Sequence, residues 1–276
     1  MTILFRLSSL LPLFVLHAVG WTLGWLAFML SGSYRREFLS NARRAGIAQP
    51  DQWRAVGEAG KLIAELPRLW MGRPPRILWD GAEFVEAALA SGHGVIFLTP
   101  HMGCFEVTAQ AYAVRYGVQG QPMTVLFRPP RKSALQQLVA LARLRPGMQT
   151  ATTTLAGVRQ LLKALKSGHC VGLLPDQVPP RQLGVWASFF GTPAYTMTLP
   201  ARLAHQTGAT ILLAWGERLS WGRGYTVHVE PMSEALSTDP QISAQQINAA
   251  MEQLILRKSD QYLWGYARYK EPRDLF

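Results

Sequence analysis

The chain opens on an unbroken apolar tract, then settles into an alternation of short apolar runs and amphipathic stretches. Between positions 7 and 34 there is no Asp, Glu, Lys or Arg, and positions 10–30 are rich in Leu, Val, Phe and Trp. A helix that crosses a bilayer needs about 20 predominantly apolar residues, which this tract supplies. The apolar region of a cleaved signal peptide is shorter, about 7–15 residues. Trp21 and Trp25, with Gly20 and Gly24, suit a membrane helix. The flanks are asymmetric: Arg6 precedes the tract, while Arg35, Arg36, Arg43 and Arg44 follow it. By the positive-inside rule, the rest of the chain faces the cytoplasm. The pattern predicts an N-terminal membrane-anchoring helix within residues 1–36 and a single folded unit over residues 37–276. An anchor lying in the membrane plane leaves a similar trace.

Beyond the tract, apolar spacing predicts helices over 51–70, 80–91, 106–116, 133–144, 154–166, 199–206 and 242–257, with Asp80 capping the second. Short apolar runs bounded by Gly or Pro predict strands at 95–98, 123–127, 170–174 and 210–214, with 225–229 as an edge strand. Strands alternating with helices indicate an α/β domain: a largely parallel central sheet flanked by helices. No internal repeat or low-complexity linker interrupts it.

Composition narrows the partners. The 276 residues suit one large domain. The formal net charge of +11 calls for an anionic partner: a nucleic acid, an anionic membrane, or an acidic substrate or carrier. The basic residues come in ones and twos, without a zinc-finger or RNA-binding signature, so no nucleic-acid partner is expected. Two cysteines, Cys104 and Cys170, exclude a disulfide-rich secreted fold and cannot alone build a zinc site. No metal or other cofactor is expected.

Three predicted strands run into polar groups. The strand at 95–98 leads to His101, that at 123–127 to Arg128 and Arg131, and that at 170–174 to Asp176 and Gln177. Open α/β sheets bind ligands beyond the carboxyl ends of their strands. Parallel neighbours would bring His101, Arg128 and Asp176 to one rim. His101 with Glu106 forms an H-x4-E spacing. Five residues turn a regular helix through 500°, or 140° off one face, by the 3.6-residue repeat. His101 therefore belongs in a strand-to-helix loop, with Gly103 allowing the turn and Glu106 in the first helical turn. Neutral imidazole suits removal of a hydroxyl proton, and a carboxylate beside it would orient the ring. An ordinary loop histidine followed by a first-turn glutamate gives the same spacing.

The stretch Pro100-His-Met-Gly-Cys-Phe-Glu106 resembles the H-x4-D/E motif of the glycerolipid and lysophospholipid acyltransferase superfamily. Further blocks resemble the bacterial lipid A late acyltransferases, in order: Phe127-Arg-Pro129, Leu173-Leu-Pro-Asp-Gln177, Phe189-Phe-Gly-Thr-Pro-Ala194, and Gln261-Tyr-Leu-Trp-Gly-Tyr-Ala-Arg268. Together they cover most of positions 94–270. The chain departs from the family pattern at Cys104 and Phe105 in the first block and at Tyr266 and Ala267 in the last.

The resemblance implies a membrane-bound O-acyltransferase. Its donor would be acyl carrier protein or acyl-coenzyme A, and its acceptor a hydroxyl of a lipid A precursor or related glycolipid. It implies a place on the cytoplasmic side of the bacterial inner membrane. His101 would be the general base, supported by Glu106, with oxyanion-binding amides near Gly103. Arg128, Arg131, Asp176, Gln177 and Arg268 are the expected substrate-binding side chains. Arg268 could equally tie the C-terminal segment down. The departures leave the acceptor open to a lysophospholipid, an ornithine lipid or a mannosylated phosphoinositide. A non-catalytic lipid-binding protein would keep the anchor and groove without needing His101.

Overall fold

The computed structural model describes residues 2–127 and 145–274. Arg128, Arg131 and the helix expected over 133–144 lie outside the described residues. The chain begins with five helices: α1 (Thr2–Ser9), α2 (Leu13–Leu30), α3 (Gly32–Arg44), α4 (Gln49–Ala64) and α5 (Leu66–Met71). The single helix expected over 51–70 is divided at Glu65, just before Pro67. Then come β1 (Ile77–Asp80), α6 (Ala82–Ala90), β2 (Val95–Leu98), α7 (Phe105–Arg115) and β3 (Met123–Phe127). After the undescribed segment follow β4 (Met148–Thr152), α8 (Leu155–Lys166) and β5 (Cys170–Leu173). A hairpin of β6 (Gly184–Phe189) and β7 (Thr192–Met197) leads to α9 (Leu199–Thr207), β8 (Thr210–Arg218), β9 (Tyr225–Pro231) and α10 (Pro240–Arg257).

Among the described residues, seven strands form one sheet in the order β1-β9-β8-β2-β5-β3-β4. All neighbours pair in parallel except β8 and β9. The α/β class and the largely parallel sheet follow the sequence pattern. Its outer members differ from it: β9 lies inside the sheet, and β1 takes the edge beyond it. Asp80 ends β1 instead of capping a helix. Gly81, at φ +87°, makes the turn into α6.

Helices cover both faces, so the central strands are buried throughout and read as continuous apolar runs. Side chains along β2 alternate between two cores. Val95 and Phe97 pack with α6 and α7 through Val85, Val107 and Tyr112. Ile96 and Leu98 pack with α8 and α10 through Leu161, Leu165 and Leu254. Side-chain caps fix helix starts among the described residues: Ser31 accepts the Tyr34 N–H, Thr154 that of Gly157, and Asp239 those of Gln241 and Ile242.

Helix α2 lies along α4. Gly20 and Gly24 meet Gly60, Val56 and the Lys61 backbone so closely that a Cβ on either glycine would strike the partner helix. Residue 36, where the sequence places the end of the anchor, falls inside α3.

Candidate active site

Strand β2 lies between β5 and β8 and delivers Thr99, Pro100 and His101 to the carboxyl edge of the sheet. Its neighbour β5 delivers Asp176 to the same edge, and the Thr99 N–H continues the ladder to the Leu173 carbonyl at 3.0 Å. Asp176 is buried, and both its oxygens are used on one residue. Oδ2 accepts the His101 backbone N–H at 2.9 Å, and Oδ1 meets His101 Nδ1 at 2.7 Å. An ionised carboxylate can only accept, so the Nδ1 proton is assigned to this hydrogen bond. That leaves the Nε2 lone pair available. Burial pushes the Asp176 carboxyl up, but the charge and hydrogen bonds of His101 and the charge of Arg268 outweigh it and hold the group below the usual range. The Tyr262 phenol packs against the same carboxylate, and burial together with that charge pushes it well up. The imidazole is 16% exposed and rests edge-on against Phe105, with ring centres 4.9 Å apart.

The convergence of strand ends thus holds for His101 and Asp176. The carboxylate on Nδ1 comes from 75 residues downstream, where the H-x4-E spacing pointed to Glu106. Glu106 occupies the first turn of α7, as its position predicts. Its charge reaches Arg145, opposing the fall that burial imposes on that guanidinium. Gln177 follows Asp176 in the turn, half-buried.

The amides near Gly103 have other partners. Gly103 N–H donates to the Gln261 carbonyl at 2.8 Å, and Cys104 N–H to the Gly216 carbonyl at 2.8 Å. Both of these amides are therefore committed to the backbone of neighbouring segments. Gly103 sits at φ +57°, with the Gly216 carbonyl where a Cβ would project, so only glycine suits the position. Cys104 is fully buried, and burial together with the nearby Glu65 carboxylate pushes its thiol well above the ordinary value. A thiol so placed is inert. Cys104→Ala is expected to keep the rate of the acyl transfer that the sequence resemblance implies within about threefold of the parent, and a vanished rate in a folded variant would point to a covalent acyl-cysteine intermediate.

Arg268 is buried, with its guanidinium engaged inside the protein. Its Nη1 donates to the Tyr195 carbonyl at 2.6 Å and its Nη2 to Thr196 Oγ1 at 2.7 Å. It ties the C-terminal segment to the β6–β7 hairpin, the structural one of the two roles open to it. Among the described residues, no group of three or more His, Cys, Asp or Glu side chains is arranged to hold a metal ion.

Below the His101 loop lies a buried ionic cluster. Arg218, at the end of β8, grips Glu65 with two hydrogen bonds of 2.9 and 2.7 Å and donates to Glu58 at 2.7 Å. The same guanidinium reaches the Gly103 carbonyl at 3.0 Å. Tyr225 donates to Glu65 at 2.9 Å, and His17 of α2 meets it at 3.1 Å. Gln261 brackets the Arg218 backbone, accepting its N–H and donating to its carbonyl, each at 2.9 Å. Sequence reasoning missed Glu65 and Arg218. The one trace of Arg218 is a pair of charges, Glu217 and Arg218, just past the apolar run 211–215 and Gly216.

A narrow apolar cleft of about 40 Å³ lies between the sheet and α7. Phe97, Thr99, Phe105, Tyr112, Val125 and Leu174 are among its walls. Phe105 is shared with the His101 ring, so the cleft begins beside the imidazole.

A family model described as bacterial lipid A biosynthesis acyltransferase matches residues 1–271. A lipid A biosynthesis acyltransferase of Haemophilus influenzae is 27% identical over 186 residues, 67% of this chain and 56% of that protein. A lipid A biosynthesis myristoyltransferase of Escherichia coli is 26% identical over 256 residues, 88% of this chain and 77% of that protein. A phosphatidylinositol mannoside acyltransferase of Mycobacterium tuberculosis is 29% identical over 166 residues, 58% of this chain and 49% of that protein. The match therefore covers under two thirds of the Haemophilus protein's own length.

Proposed function

Because the chain belongs to the bacterial lipid A biosynthesis acyltransferase family, we propose that it is a membrane-bound O-acyltransferase. It moves a fatty acyl group from an acyl carrier protein or coenzyme A thioester to a hydroxyl of a lipid A precursor or related glycolipid. The observation that carries this reading is an imidazole oriented through Nδ1 by a buried carboxylate at the mouth of an apolar cleft.

The acceptor hydroxyl gives its proton to His101 Nε2 as its oxygen forms a bond to the thioester carbonyl carbon. Asp176 stabilises the imidazolium that results. Glu106 adds a second carboxylate from the first turn of α7. The tetrahedral oxyanion is met at the N-terminal end of α7, where the Phe105 amide opens the helix. Collapse breaks the carbon–sulfur bond, and the departing thiolate takes the proton from the imidazolium. The acyl chain enters along the cleft between the sheet and α7, whose lining is apolar. Arg128 and Arg131, with Gln177, receive the phosphates or sugar of the acceptor, or the phosphopantetheine of the donor, since guanidinium matches phosphate bidentately. A net charge of +11 suits docking of an acidic carrier protein.

The test combines membranes containing the full chain with acyl-labelled carrier protein, acyl-coenzyme A and a panel of acceptors. The panel holds a lipid A precursor, a lysophospholipid, an ornithine lipid and a mannosylated phosphoinositide, the last prompted by the mycobacterial relative. Label is expected in the lipid A precursor. Labelling of none of the four would favour a lipid-binding protein.

Ala109 lines the cleft from α7. Ala109→Phe is expected to shorten the preferred acyl chain and to lower kcat/KM for the longest chain by about 10–200-fold, the range for one or two displaced methylenes. Equal losses for all chain lengths would place the acyl group elsewhere.

A further inference from the structure

The exposed side of α2 is apolar along its whole length. Its buried positions are Leu13, Leu16, His17, Gly20, Gly24 and Phe28, all on one face. The opposite face shows Val19, Leu26 and Met29, ending at Leu30, which is 83% exposed, and Phe14 and Leu23 flank it on either side, exposed as well. The one hydroxyl there, Thr22, donates to the Ala18 carbonyl within the helix and asks nothing of water. At the start of α2 the surface widens. Leu10 is 74% exposed, and Trp221, on the β8–β9 turn, is 87% exposed. The glycine beside it, Gly222, packs on the Phe14 backbone. Cations rim this patch: Arg6 before it, Arg35 and Arg36 after it, and Arg223 beside Trp221.

The buried side of α2 decides its orientation. Midway along, Gly20 abuts the Lys61 backbone, and the Lys61 ammonium lies 5.1 Å from the centre of the Trp21 ring while pairing with Glu58. Glu58 also holds Arg218 of the central sheet. Helix α4, packed alongside, carries Asp51 and Arg54 as well. Were α2 to cross a bilayer, its midpoint would carry these charges and the sheet edge to the membrane centre. Charged groups there are rare and expensive. A helix with one apolar face and one protein-packed face instead suits the interface between headgroups and acyl chains.

We propose that α2 does not cross the membrane but lies in its plane, with the face through Val19, Leu26 and Met29 sunk into one leaflet of an anionic bilayer and Trp221 inserted beside its N-terminal end. This rests on the membrane-bound reading above. Charge supports a lipid occupant over a second copy of the chain: the net +11 and the arginine rim complement anionic headgroups and repel another copy. Seated this way, the protein keeps its sheet and the His101 loop on one side of the bilayer, reaching a lipid acceptor from the headgroup side.

The test uses the full chain in inverted membrane vesicles. Both native cysteines are buried, so the background labelling is low. Arg6→Cys and Ser33→Cys, both at exposed positions flanking α2, are treated with a membrane-impermeant maleimide. Equal labelling of the two before lysis is expected. Labelling of one alone, with the other appearing only after lysis, would mean a spanning helix; it would overturn the in-plane seat and leave the membrane-bound reading intact. Recovery of the chain in the soluble fraction, as a monomer or a dimer, would overturn both. As a second measurement, Trp221→Glu is expected to lower binding of the purified chain to phosphatidylglycerol-containing vesicles by at least fivefold. Unchanged binding would remove Trp221 and its surroundings from the membrane contact.

Discussion

Asp176→Asn is expected to lower acyl transfer by about 10²–10⁴-fold, close to the loss in His101→Ala, the range for a positioned general base. The reason lies in the two donors that Asp176 serves. The His101 backbone N–H can only donate, and it takes one oxygen. The ring Nδ1 takes the other. An asparagine has one oxygen and one NH2 group. With the oxygen turned to the backbone N–H, the NH2 faces Nδ1 and must donate to it. The imidazole proton is then driven to Nε2, the atom that has to accept the acceptor's proton. Shape is kept while the base is lost. The double variant should therefore be no slower than either single one, as expected of residues acting as a unit. Initial rates with a saturating labelled donor, alongside thermal unfolding to confirm the fold, would measure this. Because Asp176 stays ionised through the working pH range, it should add no limb to the pH–rate profile. If Asp176→Asn kept the parent rate while Glu106→Gln abolished it, the pairing suggested by sequence spacing would be the functional one.

That contrast shows what the chain discloses on inspection. Strands β2, β3 and β5 are legible because both their faces are covered, leaving apolar runs bounded by Gly or Pro. His101 and Asp176 are visible as polar groups directly after two such runs. Their pairing is not, because it depends on β5 lying beside β2, and strand order leaves no local trace. Glu106 drew attention through nearness in sequence, the weaker guide once the chain turns at Gly103. The missed strands have physical reasons too. β1 and β4 are edge strands with half-exposed, mixed patterns. The β6–β7 hairpin turns through Phe190 and Gly191, both at positive φ, without the Asn-Gly or Asp-Gly pair that usually marks such a turn. The apolar tract is legible as a helix suited to a membrane. The glycine contacts that bind it to α4 emerge only when the two helices meet.

The ionic cluster under the His101 loop carries the largest expected effect on stability. Arg218→Met would leave Glu65 fully buried with Tyr225 and His17 but without its cation. Removing one partner of a buried pair costs about 3–5 kcal/mol. The Gly103 carbonyl would lose its guanidinium donor at the same time, so activity should fall further than unfolding alone explains. Urea unfolding of the detergent-solubilised chain would measure the first effect, and rates well below the unfolding midpoint the second. The pH dependence carries its own sign. Burial pushes Glu65 up, but Arg218, through its charge and hydrogen bonds, and His17 outweigh it and bring the carboxyl from an ordinary 4.5 to about 2. The folded chain thus binds this proton more weakly than the unfolded one. The contribution of Glu65 is complete above about pH 4.5 and is lost as pH falls toward 2. The parent should lose stability steeply across that window. In Glu65→Gln, stability should be lower at pH 7 and its decline across the window shallower. A parent and Glu65→Gln variant with parallel stability curves between pH 5 and pH 2.5 would show that Glu65 is not the group holding the charge. The link to function is geometric: one guanidinium, Arg218, joins α2 through Glu65 and His17 to the loop that aims His101.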